Sequence, residues 1–227
     1  MFKKNLLLIF LILSFQQTLS AETIKVFNFT ELEFETLKVK KIRGADSKTK
    51  YSLGKNEYGN FIRSVSENAA SGLGKEIKIN LSKTPFLNIT WKVEKDLSGI
   101  NENSKKGHDY AARVFVIKKT GATFLSNRAM NYVYSSNNEI DSHQPSPYTK
   151  KSIDYVLSTT KKSLNEWVTV KVNVKEHFKK FHNLYNYGSI ELHTNINIIK
   201  QQWSSINLVY YFISYLFLFF RIINAFL

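Results

Sequence analysis

Val168, Val170, Val172 and Val174 alternate with Thr169, Lys171 and Asn173. Apolar residues that recur at every second position share one face of an extended strand, whereas a helix would scatter them around its axis. The same period runs through Ile77, Ile79 and Leu81, and through Leu87-Asn88-Ile89-Thr90-Trp91-Lys92-Val93. Tyr110 to Ile117 is apolar on both faces apart from Arg113, as in a central strand covered on both sides; Met130–Tyr134 and Ile153–Leu157 add further strands. Between them lie polar segments of loop chemistry: Gly44 to Lys50, Ser98 to Gly107, and Ser135 to Lys151 with Pro145 and Pro147. Many short strands at regular spacing predict an all-β fold, a two-sheet antiparallel sandwich of jelly-roll or galactose-binding-like form. One segment breaks the period: Phe178 and Phe181 are three apart, which predicts a short helix near 175–182.

The two ends differ from this body. Lys3 and Lys4 precede an apolar run from Leu6 to Leu13 and then small residues, the pattern of an export signal over residues 1–20. The sandwich domain is expected over 21–184. From Trp203 to Phe220 no side chain is charged, and the last acid is Glu191. Three readings of residues 185–227 follow: a membrane anchor at about 206–220, with Arg221 at its edge, a last buried strand pair, or a tail outside the fold. The absence of cysteine excludes a disulfide scaffold, a thiolate metal site and a cysteine nucleophile. Lys and Arg exceed Asp and Glu by 14, so the chain attracts anionic polymers at long range. A nucleic-acid partner is disfavoured, because no aromatic-basic recognition motif accompanies the charge.

The segment Gly107-His108-Asp109-Tyr110-Ala111-Ala112-Arg113-Val114-Phe115-Val116 resembles the signature of an exported bacterial group, the domain-of-unknown-function family numbered 3047. The likeness continues in order through Arg128-Ala129-Met130-Asn131-Tyr132-Val133-Tyr134, Pro147-Tyr148 and Trp167, and covers about residues 24–184. It implies a signal peptide and an all-β sandwich, with no established activity; fold is what such a likeness supplies. Two departures stand out. His108 occupies a place where the family tends to carry Asp, and Thr194-Asn195-Ile196-Asn197-Ile198-Ile199 lacks the acids of the family's late segment. These departures suggest that residues from about Asn183 are displaced or degenerate sequence, which would leave a sheet edge unpaired.

Candidate ligand-binding residues are Asp109, Arg113, Asn131, Tyr132 and Trp167. Arg113 interrupts an apolar strand, so it must meet a carboxylate (Asp109, Asp154 or Glu94) or reach a cleft that takes an anion or sugar. Trp91, Tyr132, Tyr134 and Trp167 can present flat rings to pyranose units or fill the core. The histidines have no metal-site spacing, since His177 and His182 lie on different helical faces, and no cofactor motif is present. The expected function is a non-catalytic binding module for envelope carbohydrate or an anionic polymer. The alternatives are a glycan or ester hydrolase pairing Asp109 with Glu94 or Asp154, and a structural periplasmic protein.

Overall fold

The computed structural model describes residues 23–41, 47–57, 59–67, 69–97, 99–121, 126–185, 190–199, 204–206 and 211–213. The alternating segments become strands that pair as the periodicity requires. Residues Phe86–Val93 (β6) and Val168–Asn173 (β11) run antiparallel, with Val168 opposite Trp91, Val170 opposite Ile89 and Val172 opposite Leu87. All six side chains turn to one interior. Trp91 is fully enclosed there and its indole N–H donates to Ser158 Oγ at 2.9 Å. Burial of a ring system that size contributes roughly 4–6 kcal/mol before entropy is counted.

The first sheet contains Thr23–Lys25 (β1), Lys50–Asn56 (β3), Gly59–Val65 (β4), β6, β11, Ser204–Ile206 (β13) and Tyr211–Ile213 (β14), in the order β1-β14-β6-β13-β4-β3 with β11 also on β6. The second contains Lys38–Lys41 (β2), Ala70–Ile79 (β5), Ala112–Lys118 (β7), Arg128–Ser135 (β8), His143–Ser146 (β9), Thr149–Thr159 (β10) and Ile190–Ile199 (β12), in the order β2-β5-β12-β7-β8-β10-β9. One buried cluster joins them, with Ile62, Leu87 and Ile89 from the first sheet against Leu73, Val114, Met130 and Tyr132 from the second. The protein is therefore the expected two-layer all-β sandwich. One pair departs from the antiparallel rule: β8 and β10 run parallel, with β9 folded back along the far side of β10.

Val174–His182 forms the expected helix, α3. Asn173 Oδ1 accepts from the Glu176 N–H, and Asn183 closes the other end in a left-handed conformation that lets its own N–H and that of Leu184 reach the last turn. Two further helices, Glu31–Thr36 (α1) and Thr160–Ser163 (α2), are too short to show a helical period in the sequence.

Of the three readings of residues 185–227, the described part 190–199 is a strand: β12 lies between β5 and β7. Ladder pairing uses backbone donors and acceptors, which the segment supplies although Thr194–Ile199 carries no acid. Residues 1–20 and most of 206–220 lie outside the described residues; among those described, no helix is long and apolar enough to cross a membrane.

Candidate functional site

Strand alternation sends Arg113 of β7, Asn131 of β8 and Asp154 of β10 to the outer face of the second sheet, opposite the core residues Val114, Tyr132 and Ile153. This face is roofed by the loops around 97–110 and 136–142. Asp154 and Asn131 are register partners, and the Asn131 amide donates to Asp154 Oδ1. The other carboxylate oxygen lies 2.6 Å from His108 Nε2. His108, the residue that departs from the family pattern, thus bonds a carboxylate where a second acid would repel it. Arg113 is 2% exposed, donates from Nη2 to the His108 carbonyl at 3.1 Å, and has its guanidinium against the Tyr110 and Phe115 rings at 4.9 and 5.9 Å. Burial lowers its pKa, an effect opposed first by Asp154 and then by Asp109.

Glu102 anchors the roof. Its buried carboxylate accepts from the Ser135 hydroxyl, the Ser136 and Asn137 N–H groups at 2.8 and 3.3 Å, and the Asn138 side-chain amide at 2.9 Å. A carboxylate with that many donors is pre-organised and fixes both loops at once.

Between the roof and strand β9 lies a hollow of about 160 Å³, lined by Asn103, Tyr110, Asn138, Ser142, His143, Gln144, Asp154 and Val156. Gln144 is the register partner of Asp154 and shares its face. The amides form a chain: Gln144 Nε2 donates to Asn103 Oδ1 at 2.5 Å, and Asn138 Nδ2 donates to the same oxygen at 3.0 Å. Burial, followed by the Asp154 charge, raises the Tyr110 pKa far above that of a free phenol, so its hydroxyl remains protonated. The wall therefore offers amide N–H donors, amide and carboxylate oxygens and a neutral hydroxyl. Tyr148 stands beside it, 65% exposed, with its ring edge-on to His108 and its hydroxyl donating to the Lys105 carbonyl at 2.8 Å.

Of the residues expected from sequence, the fold brings Arg113 and Asn131 together on this face, with Asp109 at the turn leading into it, its N–H bonded to Gly107 O. Tyr132 points the other way. It is wholly buried in the core, where its hydroxyl and His177 Nδ1 are 3.3 Å apart. Trp167 stands at the start of β11 on the first sheet, half-buried and edge-on to Phe61 at 5.3 Å. Trp91 and Tyr134 are core residues. Glu94 is on the first sheet, bonded to Arg63 and Lys92 at 3.3 and 3.7 Å, and so is not the partner of Arg113. Sequence reasoning missed Glu102, Asn103, Asn138 and Gln144, which lie in stretches legible as loop and nothing more. Among the described residues no group of acids and histidines is arranged to hold a metal ion.

The model of a protein family matches residues 35–192, well over half of the chain. The chain belongs to DUF3047, described as proteins of unknown function. The match extends past the expected boundary at 184 into β12. Among curated proteins no sequence matches this DUF3047 member. Solved structures of similar shape include a family 11 carbohydrate-binding module of a cellulosomal cellulase of Clostridium thermocellum, with 10% identity, 87% of this chain and 96% of that one covered, and a TM-score of 0.47. The family GH12 endoglucanase 3 of Trichoderma harzianum has 10% identity, coverages of 86% and 98%, and a TM-score of 0.42. Likenesses this distant assign neither ligand nor activity.

Proposed function

We propose that the protein is an exported, non-catalytic carbohydrate-binding module that holds one sugar residue in the hollow between β9 and the 97–110 loop. The observation that carries this reading is the wall itself: three amides already hydrogen-bonded to one another, a phenol kept neutral and a carboxylate, all facing one small space. Vicinal hydroxyls both donate and accept, and such a mixed, pre-ordered set meets them without reorganisation. At about 30 Å³ per water the hollow holds roughly five waters, the room of a single small polar ring.

Binding without turnover is favoured because both Asp154 oxygens are occupied, by His108 and by Asn131. A hydrolase needs a second carboxylate facing the same space. Among the described lining residues Asp154 is the only one. Export is supported by the lysine-led apolar leader at residues 3–13, and cell fractionation of the tagged chain tests it.

A glycan array followed by a reducing-end assay tests the function. The expected result is retention of glycans that carry an accessible single residue, no release of product, and loss of retention in Gln144→Ala. Release of reducing ends, or full retention by Gln144→Ala, would overturn it.

A further inference from the structure

The opposite face of the sandwich is built differently. Inward positions of the first sheet are Tyr51 and Leu53, Ile62, then Leu87, Ile89, Trp91 and Val93. Alternation therefore sends Lys50, Ser52 and Gly54 of β3, Phe61, Arg63 and Val65 of β4, Asn88, Thr90 and Lys92 of β6, and Thr169 and Lys171 of β11 outward. We propose that this outer face is a second binding surface, which takes an extended strand of acidic polysaccharide along β4. It uses none of the residues of the hollow and does not depend on that reading.

Three observations carry the proposal. The first is an aromatic platform. Gly54 is the register partner of Phe61, and a Cβ on Gly54 would come within 2.4 Å of the Phe61 ring. The missing side chain lets that ring lie over the β3 backbone, where it meets Trp167 edge-on. The two rings, half-buried and at 67° to each other, brace one another and give this face its aromatic character. The second is charge. The outward positions of β3, β4, β6 and β11 carry Lys50, Arg63, Lys92 and Lys171 and no acid. Glu94, just past β6, is shared by Arg63 and Lys92, and Lys171 lies over the Phe86 ring at 4.4 Å. The surface thus keeps a net positive charge, complementary to carboxylated sugars.

The third is a cavity of about 470 Å³ at the open end of the β3–β4 hairpin, within the size range of ligand sites. Lys48, Lys50, Ser47, Ser52 and Tyr51 line it, along with Val65, Ala69 and one acid, Glu67. Phe61, Arg63 and Val65 follow one another at every second position. A rise of about 3.3 Å per residue therefore sets Phe61 about 13 Å from the cavity mouth at Val65, with Arg63 midway. A chain lying along β4 stacks at Phe61 and Trp167 and presents carboxylates to Arg63 and then to Lys48 and Lys50. The paired hydroxyls of Thr90 and Thr169, 2.8 Å apart, lie on the same face.

The test uses the full chain with polygalacturonate, its methyl-esterified form, and a single-stranded oligothymidylate as the competing polyanion, in affinity electrophoresis over a salt series. The expected result is binding of polygalacturonate that weakens with salt and little binding of the ester. Lys48→Gln/Lys50→Gln, which alters two exposed side chains, should lower affinity about tenfold. Trp167→Phe, which keeps a ring, should lower it less than Trp167→Ala. Gln144→Ala should change nothing here, so failure at the hollow and failure at this surface are distinguishable. Equal binding of the ester, tighter binding of the oligothymidylate, or an unchanged affinity in the double lysine variant would overturn the proposal.

Discussion

Asp154→Ala removes the centre of the buried polar network. Asp154 is 1% exposed, with one oxygen on His108 at 2.6 Å and the other on the Asn131 amide, and it is the foremost opposing charge for the buried Arg113 guanidinium. The variant removes the largest opposing charge from the buried guanidinium, leaving Asp109 as the next, and strips His108 and the Asn131 amide of their partner. Breaking a buried charge pair from one side costs about 3–5 kcal/mol. For a domain of this size each kcal/mol lowers Tm by roughly 2–4 °C, so Tm should fall by on the order of 10 °C. Urea unfolding followed by tryptophan fluorescence gives the free energy directly. A companion variant, Arg113→Met/Asp154→Leu, replaces the charges with apolar groups and should recover most of the loss. A cost below about 1 kcal/mol for Asp154→Ala, or a double variant no better than the single one, would refute the account of Asp154 as the main charge that holds Arg113 in its buried place.

Other outcomes follow from the same contacts. Glu102→Gln weakens an acceptor of at least four bonds, so amide exchange at 135–138 should accelerate, with about 1–3 kcal/mol lost in urea unfolding. The His177 pKa is lowered to about 4, chiefly by burial, with Lys180 and His143 acting in the same direction and Asp141 against it. The unfolded chain binds that proton first, so stability should hold above pH 6.5 and decline from there towards pH 4. Partial exposure limits the decline to about 1–2 kcal/mol, and urea midpoints for His177→Gln should show a shallower slope. Gly54→Ala forces the Phe61 ring off β3; because the ring is half-buried and can swing aside, the cost in urea unfolding should stay below about 1 kcal/mol while the near-ultraviolet dichroism from Trp167 changes.

The alternation of Leu87 to Val93 and of Val168 to Val174 was sufficient to read strands, their inward faces and a two-layer architecture, because burial on one side imposes that period. Phe178 and Phe181 marked α3 in the same way. The candidate site was less legible. Asn131 and Tyr132 are adjacent in sequence, yet one faces the roofed polar layer and the other the core, and neither residue's chemistry says which loops cover which face. The contact of Asn131 with Asp154 depends on β8 and β10 running parallel, a pairing that alternation alone does not encode. Glu102 and Gln144 gain their roles from loops that fold onto one another, and loop closure leaves no periodic trace. Residues 194–199 carry no acid, yet ladder pairing needs only the backbone, which fills the place between β5 and β7.

Titration of the ¹⁵N-labelled chain with glucose, galactose, N-acetylglucosamine and glucuronate is the most direct measurement, because the side-chain amides of Asn103, Asn138 and Gln144 report from the wall of the hollow. At least one of these sugars should move all three signals together and saturably, leaving β3 and β4 unchanged. Stationary amide signals through the whole panel would contradict the central claim that this hollow is a sugar site.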